Sequence, residues 1–477
     1  MAKLELDLFS SARASVMAPA GCGKTQLIAD TLKVYGGQKP VLVLTHTNAG
    51  RGALEARLER AGVTRSAYRV FTIDGWAGRL ISKFPVRSRC NPQILRHENP
   101  KADYPAIRLA AWQLLESGDI SDVLAATYSR LVVDEYQDCS LPQHSIVNAI
   151  AHTLPTCVLG DPLQAIFGFR EATVDWNTHV QAAFPQLGFM ATPWRWKQVG
   201  AEALGQWLLA IRQPLLTGQA VDLGTAPAEV QYLSLSGNPA MMHLKRMEAA
   251  RTKAPNKDGT VLIIGDSKKP KSQRQVASLV HGASTVEALD LGDLTNFART
   301  FDPAHADSTR HLVEFAAEIM TNLGGTALQR RLMSLRAGTA KKEANTIETA
   351  CLVYGMTPSY GAAATLLEQL EASPTVRVYR HEVLHVLKSA LRTASGGSCS
   401  FYEATVQARE RNRHLSRRTG KVAVGSTLLL KGLEADVAVV LDPREMDAKH
   451  LYVALTRGAR KLVVCSPTSI ITPLVGP

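Results

Sequence analysis

Short runs of consecutive apolar residues recur along this chain and alternate with segments of helical pattern. Apolar runs of this length are typical of strands buried on both faces of a parallel sheet, and in the first part of the chain they are Val41–Thr45 (V-L-V-L-T), Tyr68–Ile73, Leu131–Val133 and Cys157–Gly160. The second half has further runs at Gly259–Asp266, Val437–Leu441 and Lys461–Cys465. Helical patterns between the runs include Ala53–Ala61 and Ile107–Leu115. The alternation predicts an α/β fold.

One stretch carries a recognisable chemistry, Val16–Thr25 (V-M-A-P-A-G-C-G-K-T). An apolar run, a turn with two glycines and Lys-Thr before a helix together match a phosphate-binding loop. Such a loop directs backbone N–H groups at phosphate oxygens, with Lys24 reaching the β- and γ-phosphates and Thr25 a Mg²⁺ ion. Ala18 stands where the usual pattern has its first glycine, so a chance turn before a helix is the alternative.

A second candidate site follows the run Leu131–Val133, which ends in Asp134 and Glu135. Carboxylates after a buried strand lie at the carboxyl edge of the sheet, where open α/β folds bind ligands. Behind a phosphate loop, we expect Asp134 to hold Mg²⁺ and Glu135 to activate the attacking water.

Composition narrows the class of protein. At 477 residues the chain is long enough for two to four domains, and its 45% apolar and 20% charged residues are globular values. The excess of 54 Lys and Arg over 42 Asp and Glu gives a net charge of +12, which fits a polyanionic partner. The cysteines are scattered, and no apolar run approaches the length of a membrane span. We therefore expect a cytoplasmic protein without zinc, disulfides or a membrane partner.

The chain resembles the superfamily 1A DNA helicases of the UvrD/Rep/PcrA type. The resemblance rests on motifs that follow one another in the family's order: A-P-A-G-C-G-K-T (18–25), L-T-H-T-N-A (44–49), F-T-I-D-G-W-A (71–77), D-E-Y-Q-D (134–138), G-D-P-L-Q-A-I-F-G-F-R (160–170), P-W-R (193–195), L-L-K-G-L-E-A-D-V (429–437) and L-Y-V-A-L-T-R-G-A-R (451–460).

This resemblance implies an α/β fold of two RecA-like P-loop motor lobes, each a parallel sheet flanked by helices, with small, mostly helical accessory insertions. We expect the first lobe at residues 1–190, with an insertion at about 83–128. The second lobe would comprise residues 191–284 and 395–477, separated by a helical insertion at 285–394.

The resemblance also implies ATP and Mg²⁺ as ligands. The catalytic residues would be Lys24, Glu135, Gln164 as γ-phosphate sensor, and Arg195 and Arg457 as arginine fingers from the second lobe. The nucleotide would contact Ala20, Gly21, Cys22, Gly23, Lys24, Thr25, Gln26, Trp194 and Glu434, with Thr25 and Asp134 on the metal. Trp194 would stack on the base. A surface ion pair for Arg457 and a solvated loop acid for Glu434 are the alternatives.

Single-stranded or tailed duplex DNA is the implied partner, contacted by His46, Asn48, Trp76, Phe167, Phe169 and Arg170. Proteins hold single strands by stacking bases on aromatic rings and tracking the backbone with cations, but Phe167 and Trp76 could instead be core residues. Residues 245–274 and 409–421 are rich in Lys and Arg and could extend the path, or form a solvated face.

The chain departs from the family's pattern in three features. No glutamine that would read adenine precedes the loop, which leaves the choice between ATP and GTP open. Asp74 and Leu428 each replace a family histidine, and the second replacement weakens the expected coupling between ATP and DNA.

Two functions follow from the resemblance. The first is a DNA-dependent ATP hydrolase acting as a 3′-to-5′ translocase or helicase, in DNA repair or antiviral defence. The second is an ATP-gated DNA-sensing regulatory subunit that controls a partner nuclease and unwinds little. In size and motif style the chain is also similar to the helicase-like subunit of the Gabija anti-phage system, whose partner is an OLD-family nuclease.

Overall fold

The computed structural model describes residues 5–96, 99–168, 171–323, 325–413 and 420–475. The chain divides into two compact units. The first comprises Met1–Tyr232, Pro443–Leu462 and Thr468–Pro477, and the second comprises Leu233–Asp442 and Val463–Pro467.

The first unit is built on a six-stranded sheet with strand order β3-β2-β4-β5-β1-β6. Its strands are β1 (Arg13–Met17), β2 (Val41–Thr45), β3 (Tyr68–Thr72), β4 (Leu131–Val133), β5 (Thr156–Gly160) and β6 (Gln186–Phe189). All neighbouring strands run parallel. The helices before the second sheet are α1 (Lys24–Val34), α2 (Asn48–Arg60), α3 (Ile73–Lys83), α4 (Pro100–Glu116), α5 (Ser121–Thr127), α6 (Leu141–Ile150), α7 (Trp194–Lys197), α8 (Glu202–Ala210) and α9 (Arg212–Leu216).

Both faces of the inner strands of this sheet are buried, as the continuous apolar runs predict. Successive residues of a strand point to opposite faces, and β2 shows this directly. Leu42 and Leu44 pack in one core with residues of α3, α4 and α6, whereas Val41 and Val43 pack in another core with residues of α1 and α2. Helices on both faces leave the carboxyl edge of the strands as the place for a ligand.

The second sheet also has six strands, in the order β10-β13-β9-β14-β15-β8. After β7 (Val221–Asp222), the remaining strands are β8 (Val230–Ser234), β9 (Val261–Ile264), β10 (Ala283–Thr285), β11 (Met320–Thr321), β12 (Arg377–Val378), β13 (Val422–Gly425), β14 (Ala435–Val440), β15 (Gly458–Ser466) and β16 (Ile470–Ile471). β11 pairs with β12 and β16 with β7, each as a small antiparallel sheet. The helices are α10 (Pro239–Ala250), α11 (Pro270–Leu279), α12 (Gly292–Thr300), α13 (Ser308–Ala317), α14 (Gly325–Arg336), α15 (Thr346–Met356), α16 (Tyr360–Ala372), α17 (His381–Ser395), α18 (Phe401–Arg413), α19 (Thr427–Leu430) and α20 (Ala448–Leu455).

A helical segment lies in the chain between β10 and β13, which are neighbouring parallel strands. Its apolar residues form a core of their own that runs from Leu291 in the chain to Ala408. That core includes residues of α18, so the helical packing continues past the predicted end of the insertion at residue 394. In contrast, the predicted insertion at 83–128 supplies α4, whose apolar residues pack in the core of the first sheet.

The structure confirms the predicted fold class: two six-stranded sheets with parallel pairing and flanking helices, consistent with two RecA-like lobes. The lobe boundaries stay predictions. Within the described ranges, no helix is long and apolar enough to cross a membrane.

Candidate nucleotide-binding site

The loop between β1 and α1 is shaped by two glycines. Gly21 and Gly23 have φ values of 69° and 84°, a region that residues with a side chain rarely adopt. A Cβ at Gly21 would also lie 2.4 Å from Cζ3 of Trp196. The backbone N–H of Ala18 donates to the carbonyl of Gly160 at 2.8 Å, so alanine continues the ladder between β1 and β5. The loop thus places backbone N–H groups at the start of α1, where helices bind phosphate.

Lys24 begins α1, and its ammonium group contacts two carboxylates. Its Nζ lies 3.2 Å from Oδ1 of Asp134 and 2.6 Å from Oε1 of Glu135. Burial opposes the charge on Lys24, but the two carboxylates outweigh it, and the pKa of Lys24 is raised. Burial raises the pKa of Asp134 despite the attraction of Lys24, and Glu135 adds to that increase. The site therefore concentrates one cation and two acids at the carboxyl ends of β1 and β4.

Glu135 has an uncommon backbone conformation, with φ 56° and ψ 40°. This left-handed conformation costs a residue with a side chain about 1–2 kcal/mol, and such outliers cluster at functional sites. The side chain of Gln137 holds the carboxylate of Glu135 in place, because its Nε2 donates to Oε2 of Glu135 at 2.5 Å. Oε1 of Gln137 in turn accepts from the backbone N–H of Asp161 at 3.1 Å. Glu135 is therefore tied to the end of β5.

Asp161 follows β5 and is 0% exposed. Arg212 donates to both of its carboxylate oxygens, at 2.7 and 2.9 Å. Gln164 donates its Nε2 to the same carboxylate at 2.9 Å, and the backbone N–H of Leu163 donates at 3.2 Å. The guanidinium of Arg212 also lies 5.0 Å from the ring centre of Tyr452. One buried carboxylate thus holds the predicted phosphate sensor.

Arg195 and Arg457, the predicted arginine fingers, both fall in the first unit with the loop, whereas the sequence assigned them to the second lobe. Arg195 donates to the carbonyl of Thr456 at 2.7 Å, and the neighbouring indole of Trp196 donates to the carbonyl of Gly458 at 2.8 Å. Arg457 is buried just after the end of α20 and donates its Nε to the carbonyl of Val453 in that helix at 2.8 Å. Its burial rules out the alternative of a surface ion pair.

Trp194 lies beside the loop and is 41% exposed. Its Cδ1 is 3.0 Å from the position that a Cβ on Gly23 would take. Its indole N–H donates to Oε2 of Glu5 at 3.3 Å, and Nζ of Lys197 lies 5.6 Å from its ring centre. An indole with an exposed surface next to a phosphate loop is available to stack on a nucleobase.

Of the other predicted nucleotide contacts, two are buried in the loop, two belong to α1 and one belongs to the second unit. Ala20 and Cys22 are buried in the loop, and burial raises the pKa of Cys22 to about 12, so its thiol is neutral. Thr25 is the second residue of α1, and Gln26 bonds to a side chain one turn further along that helix. Glu434 is exposed and belongs to the second unit.

Among the predicted DNA contacts, His46 and Phe167 come together, with ring centres 5.9 Å apart and planes inclined by 32°. Asn48 begins α2. Phe169 and Arg170 lie outside the described residues. The structure therefore groups two of the predicted aromatic contacts after β2 and β5.

Trp76 is a core residue, which was the alternative to its predicted role as a DNA contact. It is 2% exposed and packs in the core beneath the first sheet, so its buried ring offers no face to a base. Nearby Asp74 accepts two bonds of 2.7 Å from Arg108 and one of 3.0 Å from Gln143. Arg108 also bonds Glu171 at 2.6 Å. Asp74 is therefore held within an ion-pair network.

The two predicted basic stretches differ in what the structure shows. In residues 245–274, Arg246 and Arg274 each pair with an aspartate, at 2.6 and 2.5 Å, so part of the positive charge is neutralised. The stretch 409–421 includes residues 414–419, which lie outside the described residues.

Residues 95–185 match the family model of the UvrD/REP helicase N-terminal domain. This UvrD/REP segment contains Asp134, Glu135, Asp161 and Gln164. Over 79 residues the chain is 30% identical to the RecBCD enzyme subunit RecB of Buchnera aphidicola subsp. Acyrthosiphon pisum (strain APS), a stretch covering 16% of this chain and 7% of that subunit.

Among solved structures, the chain is similar to an arterivirus nonstructural protein 10 (helicase) in complex with DNA, with a TM-score of 0.35 and 9% identity. The similarity covers 97% of this chain and 63% of that one. The chain thus spans a small part of the RecB subunit and less than two thirds of the viral helicase.

Sequence reasoning missed the residues that hold Glu135 and the predicted phosphate sensor Gln164 in place. Gln137 and Asp161 stand inside quoted motifs, D-E-Y-Q-D and G-D-P-L-Q, and their polar side chains beside buried strands were an available signal. Tyr452 also stands in a quoted motif, but Arg212 had no local signal.

Proposed function

We propose that this protein is a DNA helicase of the UvrD/REP type that hydrolyses ATP with Mg²⁺ and moves along single-stranded DNA with 3′-to-5′ polarity. The observation that carries the proposal is Lys24, held between Asp134 and Glu135 beside a glycine-shaped phosphate loop. The match of residues 95–185 to a helicase family model supports it.

The residues present fit a nucleoside triphosphate and Mg²⁺. The loop has two glycines in the left-handed region, so its backbone can close around phosphate oxygens. Lys24 supplies a buried cation whose charged form is favoured. The carboxylate of Asp134 and the hydroxyl of Thr25 are the oxygen ligands that Mg²⁺ prefers, and both belong to elements that meet at the loop. We infer that these two residues would hold the ion.

Each side chain has a role that follows from its contacts. Lys24 would exchange its carboxylate partners for phosphate oxygens, which frees Glu135 to accept a proton from water. Gln137 keeps that carboxylate oriented through its bond of 2.5 Å. When bound, Mg²⁺ neutralises the charge that develops on the transferred phosphoryl group. Gln164 senses the γ-phosphate from its position on Asp161.

Arg195 and Arg457 supply positive charge at the same centre. The guanidinium of Arg195 is held in place by its bond to the carbonyl of Thr456 at 2.7 Å. The backbone N–H of Arg195 also donates to the carbonyl of Gly21 in the phosphate loop at 3.0 Å. A cation positioned in advance stabilises developing charge without reorganisation. Movement on DNA would follow from nucleotide-dependent closure and release.

ATP hydrolysis measured with and without a single-stranded oligonucleotide tests this proposal. We expect DNA to stimulate turnover at least tenfold, and unwinding of a 3′-tailed duplex but not of a 5′-tailed one. Unwinding of the 5′-tailed duplex alone would contradict the proposed polarity. A rate of ATP hydrolysis that DNA does not change would contradict the proposal that the protein is a translocase.

A regulatory subunit is the second candidate, favoured by the similarity of a 79-residue stretch to a subunit of the multi-subunit RecBCD enzyme. Such a subunit would bind ATP and DNA, control a partner nuclease of the OLD family in repair or antiviral defence, and unwind little. DNA binding without stimulated turnover would select it.

Replacing Trp194 with Ala is expected to raise KM for ATP about tenfold and leave kcat within about twofold. Stacking of a base on an aromatic ring contributes about 1–3 kcal/mol, and this contact is made equally before and during reaction. Steady-state kinetics over a range of ATP concentrations measures the effect. Trp194→Phe keeps a ring and should retain most of the affinity; equal losses in both variants would contradict stacking.

A further inference from the structure

Asp161 is the point where three parts of the candidate site meet. Its backbone N–H is bonded by Gln137, which also bonds Glu135. Its carboxylate accepts from Gln164 and, twice, from Arg212. A displacement of Asp161 would therefore disturb both Glu135, the predicted general base, and Gln164, the predicted phosphate sensor.

Arg212 is the cation that fixes Asp161. It is 5% exposed, and its two bonds of 2.7 and 2.9 Å form the planar, two-point pairing that restricts a carboxylate in both direction and rotation. Lysine offers only a point charge and cannot reproduce this geometry. The side chain of Arg212 thus determines which way the Asp161 carboxylate faces, and with it the amide of Gln164.

Arg212 also contacts α20, through Tyr452. The guanidinium lies 5.0 Å from the ring centre of Tyr452, a distance at which cation and ring attract. Thr456, one turn further along, donates its hydroxyl to the carbonyl of Tyr452 at 2.9 Å, and its own carbonyl accepts from Arg195 at 2.7 Å. Arg212 therefore contacts the element that orients a predicted arginine finger.

Stability alone is a weak reason for this arrangement. Burying an ion pair costs desolvation that its attraction seldom repays, and apolar replacements of similar volume are often as stable. What such a pair adds is a fixed geometry, and here that geometry joins Gln164 and the helix that holds Arg195.

We propose that Arg212 is a positioning residue for recognition of the γ-phosphate, acting through Asp161 on Gln164 and through Tyr452 on α20. The inference rests on the proposed function, because it assumes that Gln164 senses the terminal phosphate. It predicts that loss of Arg212 removes discrimination between nucleoside triphosphate and diphosphate while leaving the phosphate loop able to bind both.

Equilibrium binding of ADP and of a non-hydrolysable ATP analogue, each with Mg²⁺, tests this proposal in the full chain. For Arg212→Lys we expect the preference for the analogue over ADP to fall about tenfold, with the Kd for ADP within about twofold of wild type. We also expect kcat to fall at least tenfold with little change in KM. Asp161→Asn, which keeps the shape of the side chain, is expected to act in the same direction and serves if Arg212→Lys does not fold.

The chain offers a matched control in Arg380, which is 1% exposed and bonds both oxygens of Glu287, at 2.8 and 2.9 Å. It belongs to the second unit. Arg380→Lys should lower the free energy of unfolding as Arg212→Lys does, but leave nucleotide preference unchanged. The neutral double variant Asp161→Asn with Arg212→Met should regain stability without regaining the preference.

Equal preference for the analogue in wild type and Arg212→Lys would overturn the inference, as would recovery of the preference in the neutral double variant. A wild type that binds ADP and the analogue equally would also overturn it, since no sensor would exist. These binding results stand apart from the helicase proposal, which fails separately if DNA does not stimulate hydrolysis.

Discussion

Glu135→Gln is expected to lower kcat by about two to four orders of magnitude, the contribution of a positioned general base. An amide accepts no proton from the attacking water, although it keeps the size of the side chain and can still meet Gln137. Affinity for ATP should remain within about threefold of wild type, because Lys24 and the loop are unchanged. Single-turnover hydrolysis with a separate binding measurement distinguishes the two effects.

Glu116→Gln is a suitable control for that experiment, since Glu116 is exposed at the end of α4 and should behave as wild type. If Glu135→Gln retained more than about a tenth of the turnover, Glu135 would not be the base and the assignment would be wrong.

Lys24→Met is expected to abolish measurable ATP binding and to reduce turnover at least about a hundredfold, the usual effect of removing one preorganised charge partner. It should also destabilise the fold by about 3 kcal/mol at pH 7, because it leaves the buried Asp134 carboxylate without its cation. Calorimetric titration with ATP measures the first effect, and urea unfolding the second.

The pH dependence of that destabilisation has a definite sign. Burial raises the pKa of Asp134 above its ordinary 3.8, so the folded state binds this proton more tightly than the unfolded state does. Protonation at falling pH therefore favours the folded form. Lys24 opposes the increase in the pKa of Asp134, so Lys24→Met raises this pKa further and the variant gains more stability from protonation than wild type does. The stability gap between the two should therefore narrow as the pH falls below neutrality. Lys33→Met, at an exposed position on the same helix, should have the same free energy of unfolding as wild type at neutral pH and at lower pH. A gap that widens towards low pH would contradict the assigned pKa direction.

Several strands of both sheets were predictable because each is a short apolar run buried on both faces. The edge strands β6 and β8 are less buried and less uniformly apolar, and no apolar run predicted them. β2 coincides with the predicted run Val41–Thr45, and the run Cys157–Gly160 misses only the first residue of β5. The phosphate loop and the acids after β4 were predictable for a different reason: their chemistry depends on neighbours in sequence.

The parts of the site that depend on distant residues could not be predicted in the same way. Arg212 is 51 positions from Asp161 in sequence, in a helix with no unusual composition, and only the fold brings the two together. For Trp76 the sequence located the residue in a motif but could not give the direction of its side chain. A tryptophan in a helix after a strand can face the core or the solvent, and here α3 turns it inward, where 2% of it is exposed.

The helical segment between β10 and β13 has a consequence for engineering the chain. β10 and β13 are adjacent and parallel, with Ala283 opposite Val422. The carboxyl end of β10 therefore lies at one end of the strand pair, and the amino end of β13 lies at the other. A parallel pair requires a crossover of a dozen or more residues, and this segment is that crossover. It cannot be excised at a tight turn; a shortened chain would need a single helix of its own to return across the sheet, which makes the segment an enlarged structural connection rather than a detachable module.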